Sequence, residues 1–193
     1  LTKQMDGPLT AEAKLAWLWQ RGCAFLGCRW AILGGAMSWV SEHHLVAAIS
    51  NAGGFGVIAG GSLAPVALAD EIRATQQQTS QPFGVNLITM HPQLDALARV
   101  CLDLRVGHVV LGGGVPPAPM IKLLKEGGCK VLCFAPSLAL AKRLVRNGVD
   151  ALIIEGAEAG GHIGPVATSV LAQEILPQVR DVPVFVAGGI GRG

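Results

Sequence analysis

Seven short apolar runs punctuate this chain, spaced about 25 residues apart, and that rhythm constrains its fold more than any other feature. The runs are Trp30–Leu33, Gly56–Ala59, Phe83–Leu87, His108–Leu111, Lys130–Phe134, Ala151–Ile154 and Pro183–Ala187. Each is mostly apolar and bounded by Gly, Pro or Asn, the pattern of parallel strands buried on both faces. Helical patterns lie between them. Ser41 can N-cap a helix running to about Asn51, and Pro65 suits the first turn of the next. Leu94–Leu104, Pro119–Glu126 and Leu138–Asn147 follow, the last two stopping at Gly127 and Gly148. In the last, Leu138, Ala141, Leu144 and Val145 form one apolar stripe while Lys142, Arg143 and Arg146 face outward.

Strands joined by crossover helices predict an α/β fold, a TIM-type (β/α)8 barrel truncated after the seventh strand. A closed barrel takes about 250 residues. This chain has 193 and stops at Gly188-Gly-Ile-Gly-Arg-Gly193, so a fragment of a longer protein is expected. The alternative is an open, doubly wound sheet complete at this length. Residues 1–29 read as an N-terminal extension with a helix beginning near Thr10, and residues 30–193 as the barrel.

With 51% hydrophobic and 15% charged residues, the chain can bury one large core. No apolar stretch approaches the roughly 18 residues that span a bilayer, so no membrane association is expected. Leu15-Ala-Trp-Leu-Trp19, flanked by Glu12, Lys14 and Arg21, is a poor signal peptide. A net charge of +2 without a dense Lys/Arg cluster argues against nucleic acid as a partner. Five cysteines, odd in number and without a Cys-x-x-Cys pair, suit a reduced, cytoplasmic setting. Trp17, Trp19, Trp30 and Trp39 are expected to pack the lower end of the barrel or a contact between copies in a homodimer.

Chemistry should collect in the loops after the strands. Glu155-Gly-Ala-Glu-Ala-Gly-Gly-His162-Ile-Gly164 is the most informative of them. Its glycines let backbone lie against a flat ligand, and His162 supplies an acid/base. Read alone, the less favoured alternative is a Gly-rich turn with His162 as a structural residue. Gly34-Gly-Ala-Met-Ser38 offers another close backbone approach, with Met37 as polarizable contact or plain core filler. Asn86 can donate to and accept from a heterocycle edge, or stabilise the turn before His91-Pro92. Gly112-Gly-Gly114-Val-Pro-Pro117 suits a substrate-facing wall or a long turn. Gly188-Gly-Ile-Gly191 can present N–H groups to a phosphate.

His43 and His44 read as surface or packing residues, and His91 and His108 have no partner at ligand spacing. No His/Cys pair shows a zinc-like spacing, so no metal is expected. Cys129 and Cys133 read as buried small apolar residues. A nucleophile elbow, a P-loop and a Rossmann fingerprint are all lacking.

Five motifs in order, Gly35-Ala-Met37, Ser50-Asn-Ala-Gly-Gly-Phe-Gly56, Pro82-Phe-Gly-Val-Asn86, Glu155 to His162 and Ala187-Gly-Gly-Ile190, carry a resemblance. Together they resemble the nitronate monooxygenase (2-nitropropane dioxygenase) family of FMN-dependent β/α barrels, which includes flavin-dependent enoyl-acyl-carrier-protein reductases. Ala135-Pro-Ser-Leu-Ala-Leu-Ala-Lys142 and the Ile-Gly after His162 are similar to the reductase branch. The resemblance implies that Asn86 and Glu155 contact the flavin, and that Ala36 and Met37 line one side of its ring. It further implies that Gly160 and Gly161 pass beside the ring, that Gly188 and Gly189 hold half of the phosphate, and that His162 is the acid/base. The sequence departs from the family at Gly34, where a Gln is common, in residues 1–20, and in lacking the eighth strand with the other half of the phosphate cup.

The expected activity is therefore FMN-dependent oxidation of alkyl nitronates with O2. NAD(P)H-dependent reduction of an enoyl thioester on the same scaffold is the alternative. A non-catalytic, phosphate-binding β/α protein with a structural His162 is the third reading.

Overall fold

The computed structural model describes residues 10–161 and 163–190. Seven parallel strands form one sheet in the order of the chain: β1 (Leu33–Gly34), β2 (Phe55–Ala59), β3 (Phe83–Ile88), β4 (His108–Gly112), β5 (Lys130–Phe134), β6 (Ala151–Glu155) and β7 (Val184–Ala187). Sequential order with every pair parallel requires each connection to cross the same face, which curls the sheet into an incomplete TIM-type barrel. The alternative of a doubly wound sheet is excluded, because its strand order reverses at a switch point and this one does not.

The crossover helices are α2 (His43–Asn51), α3 (Pro65–Gln78), α4 (Leu94–Asp103), α5 (Ala118–Glu126), α6 (Leu138–Arg146) and α7 (Thr168–Ile175), with α1 (Ala11–Leu26) preceding the sheet. Thr10 caps α1 by accepting from Ala13 N–H. Pro65 opens α3 at its first position, where a missing N–H costs nothing.

Side chains alternate between two cores, as strand geometry requires. Val85, Leu87, Val109, Leu111, Val131, Cys133, Leu152 and Ile154 point outward and pack beneath the helices. Phe55, Val57, Val110, Leu132, Ala151 and Ile153 point inward. Leu26 and Phe25, at the end of α1, join this inner cluster and plug the N-terminal end of the barrel. The plug is polar as well as apolar: the Phe25 carbonyl accepts from His108 Nε2 at 3.0 Å and from Lys130 Nζ at 2.5 Å. A cation at the carbonyl end of a helix is electrostatically favourable. Phe55 is fully buried against the His108 ring at 4.9 Å, and burying a side chain of that size contributes about 1.5–3 kcal/mol.

Four expectations need correction. Trp30–Ile32 are not strand, because Ile32 N–H bonds back to the Trp30 carbonyl at 2.7 Å and bends the chain, so β1 begins at Leu33. Ser41 does not cap α2. Glu42 does, accepting from the N–H groups of His44 and Leu45. The tryptophans do not form the plug: Trp17 is 60% and Trp39 84% exposed, and Trp19 stacks edge-on against Trp30. Finally, α7 was not anticipated at all.

Among the described residues all five cysteines are free thiols. Burial pushes Cys101 and Cys133 up to about 12, so both are unreactive core residues. Cys129 is also buried, donating to the Val106 carbonyl. No helix among the described residues is long and apolar enough to cross a membrane.

Candidate functional site

With α1 closing the N-terminal end, the opposite rim carries several exposed apolar groups. Met37 and Val40 after β1, Met90 after β3, Val115 after β4, Ile163 after β6 and Ile190 after β7 are all exposed. Six exposed apolar side chains on five loops of one rim form a surface suited to an apolar ligand.

Asn86 lies on the inner face near the end of β3, 8% exposed, and donates through Nδ2 to the Val110 carbonyl of the next strand at 3.2 Å. Gly112 lies beside it: a Cβ there would stand in ordinary contact with Asn86 Nδ2 and the Phe134 ring at 3.4 Å. Glu155 ends β6 on the face of Ala151 and Ile153, half-buried and in register with Ala187.

The loop after β1 is knotted by Ser41. Its Oγ donates to the Gly35 carbonyl at 2.7 Å and accepts from Met37 N–H at 3.0 Å. Its own carbonyl accepts from Ala59 N–H, which ties the knot to β2. Ala36 and Met37 are thereby held in an exposed turn at the rim.

The loop after β6 is organised by Thr168. Thr168 Oγ1 accepts from Gly156 N–H at 3.1 Å and donates to Glu158 Oε2 at 2.9 Å, while Thr168 N–H donates to the same oxygen at 2.8 Å. These hydrogen bonds hold the Glu158 carboxyl below the usual carboxylate range. Ala157 N–H reaches the Val166 carbonyl and Gly164 N–H the Gly156 carbonyl, so the loop doubles back on itself. Gly188 and Gly189 pack against it: a Cβ on Gly188 would approach Ala159 N and Thr168 Oγ1, and one on Gly189 would meet Glu158. Gly160 and Gly161 are exposed, with open space where a side chain would stand. His162 lies outside the described residues.

The structure thus brings Ala36, Met37, Asn86, Glu155, Gly160, Gly161, Gly188 and Gly189 to strand ends and loops of one rim. Ser41, Glu158 and Thr168 escaped sequence reasoning. Ser41 carried a signal for a different role, and Glu158 caps a helix ten residues downstream, a pairing that no local pattern reveals.

A sequence-family model for nitronate monooxygenase matches residues 21–99 and 93–193. FabK from Thermotoga maritima is 42% identical, with a TM-score of 0.86 over 90% of this chain and 55% of that one. Nitroalkane oxidase from Streptomyces ansochromogenes is 28% identical, with a TM-score of 0.81 over 89% of this chain and 62% of the other. Among curated relatives, (3aS,4S,5R,7aS)-5-hydroxy-7a-methyl-1-oxo-octahydro-1H-indene-4-carboxyl-CoA dehydrogenase from Mycobacterium tuberculosis is 36% identical, matched over 87% of this chain and 48% of its own length. The chain spans about half the length of that relative. Taken with the parallel sheet and its glycine-lined rim, the match places this chain in the nitronate monooxygenase family.

Proposed function

We propose that the protein is an FMN-dependent oxidoreductase whose flavin sits at the C-terminal rim of the barrel. The observation that carries this reading is the convergence there of Asn86, Glu155 and bare glycine backbone, ringed by exposed apolar side chains. A flavin needs such a mixture: a planar face, a polar edge and a phosphate. Family relatives are FMN-dependent oxidoreductases.

The residues fit the cofactor. Among the described residues, and apart from the chain neighbours, nothing stands within 4 Å of where a Cβ would project from Gly35, Gly160 or Gly161, so backbone can approach a ring closely. Asn86 and Glu155 would contact the ring's polar edge, and Ala36 and Met37 would line one face. The N–H groups of Gly188 and Gly189 would hold part of the phosphate. FMN, when bound, supplies the electron chemistry. The protein's task is then to orient the substrate, exclude water and move one proton, and we assign that proton to His162.

For the substrate, reduction of an enoyl thioester with NAD(P)H ranks first. Identity is 42% to FabK, a flavin enoyl-acyl-carrier-protein reductase, and 36% to an enzyme named for a CoA thioester, against 28% to nitroalkane oxidase. Oxidation of alkyl nitronates with O2 is the second reading and rests on the family model. A cytoplasmic location and a homodimer accompany both readings as proposals.

The test begins with the visible spectrum of the chain after incubation with FMN and desalting. Retained flavin is then titrated without oxygen, first with NADPH and then with propyl nitronate. Bleaching by NADPH supports the reductase, and bleaching by nitronate alone supports the oxidase. Flavin retained but reduced by neither, with His162→Ala unchanged in every respect, would leave the non-catalytic reading standing.

A further inference from the structure

We propose a binding site for one divalent first-row transition ion, of the zinc, nickel or cobalt class, formed by Glu42, His43 and His44 at the start of α2 with Glu71 of α3 beside it. Ligand atoms of Glu42, His43 and His44 all lie within 4.8 Å of one another. Both imidazoles present the same nitrogen to the same oxygen: Glu42 Oε2 is 2.8 Å from His44 Nδ1 and 3.3 Å from His43 Nδ1. Glu71 Oε2 reaches His43 Nδ1 at 2.9 Å from the neighbouring helix. Two donors each about 2.1 Å from one ion stand about 3.0 Å apart at a right angle and about 3.4 Å apart at a tetrahedral one, so these separations match ligand-to-ligand edges.

The charges of the cluster suit a cation. Two carboxylates meet two rings whose centroids are 4.1 Å apart. The two carboxylates supply negative charge that a single divalent ion neutralises. Nitrogen and oxygen donors without thiolate select the zinc-to-cobalt class over calcium or magnesium. There is also access: a cleft of about 180 Å³ opens beside the cluster, lined by both Glu42 and Glu71 together with Trp39 and Ser62. His44 is 72% exposed, so it can reorient to complete the set. Glu42 directly follows Ser41, which knots the Met37 loop, so an ion here would stiffen the rim from outside the flavin region.

The probe is cobalt(II) alone, added to the chain and followed by visible absorption and equilibrium dialysis. One ion should bind with d–d bands and without thiolate charge transfer. His43→Ala/His44→Ala should weaken binding at least tenfold and Glu71→Gln about 10- to 100-fold, the range typical of groups supporting a ligand. Circular dichroism without metal should be unchanged, because Glu42 still caps the helix. Equal affinity in His43→Ala/His44→Ala, no saturable binding, or a signal made up only of thiolate charge transfer would each overturn the site.

Discussion

Glu158 and Thr168 are ten residues apart in sequence and joined twice in space, the carboxylate accepting from both the backbone N–H and the hydroxyl at 2.8 and 2.9 Å. This double bond of side chain to helix start fastens the loop after β6 to α7, and Gly188 and Gly189 rest on it. A carboxylate at a helix N-terminus is favoured by both unsatisfied N–H groups and the dipole. Glu158→Ala should therefore loosen the loop while leaving the barrel intact. Limited proteolysis should cut between residues 156 and 167 several-fold faster than in the parent, with the urea midpoint little changed. Equal cleavage rates would show that the backbone bonds of Ala157 and Gly164 hold the loop unaided.

His108 makes stability depend on pH. Burial is the main cause holding its pKa below the usual 6.5; the bond to the Phe25 carbonyl opposes this, the Lys130 charge adds to it, and Asp150 opposes it. Between the folded value and 6.5 the unfolded chain binds more protons, so stability falls as pH drops below 6.5 and is flat above it. Urea unfolding at a series of pH values should show this slope, and His108→Gln, which can still donate to the Phe25 carbonyl, should lose it. A slope that persists in the variant would assign the effect to another group.

Glycine at 56 is a packing requirement. A Cβ there would collide with the backbone of Val46, whose Cα lies only 2.8 Å from that position, so α2 could not lie flat on β2. Gly56→Ala should cost about 1–3 kcal/mol, the usual penalty for overpacking. Gly107→Ala is the control, with nothing within 4 Å of the added atom, and should stay within about 0.5 kcal/mol. Similar losses in both would mean that backbone flexibility, not contact, sets the requirement.

Six of the seven strands could be read from sequence to within a residue because buried parallel strands are continuous apolar runs, and each run here is bounded by turn-forming residues. What escaped depends on partners distant in the chain. The bend at Trp30–Ile32 looks like strand because its residues are apolar, and only the bond from Ile32 N–H back to Trp30 breaks it. Helix α7 lacks a local cap, since its capping carboxylate belongs to Glu158. The tryptophans suggested a plug at the lower end of the barrel or a contact between copies; the plug is filled by Phe25 and Leu26, because α1 ends pointing into the sheet. Asn86 and Glu155 were placed at the rim by the resemblance to the family, and the structure sets both at strand ends there. Glu42, His43 and His44 were not legible, since the fourth group, Glu71, arrives from another helix.

Ser41 separates two roles that sequence alone confuses. As an N-cap, its loss would fray α2. As the knot of the β1 loop, its loss would free Gly35 and Met37 while Glu42 still capped the helix. The residue is only 5% exposed, and both bonds of its hydroxyl are to backbone of the loop. Ser41→Ala should cost about 1–3 kcal/mol for the unpaired buried groups it leaves behind. Helix content by circular dichroism should be unchanged, and FMN retained after desalting should fall, because the turn bearing Ala36 and Met37 is no longer fixed. Reduced helix content with flavin retention intact would instead return Ser41 to the capping role.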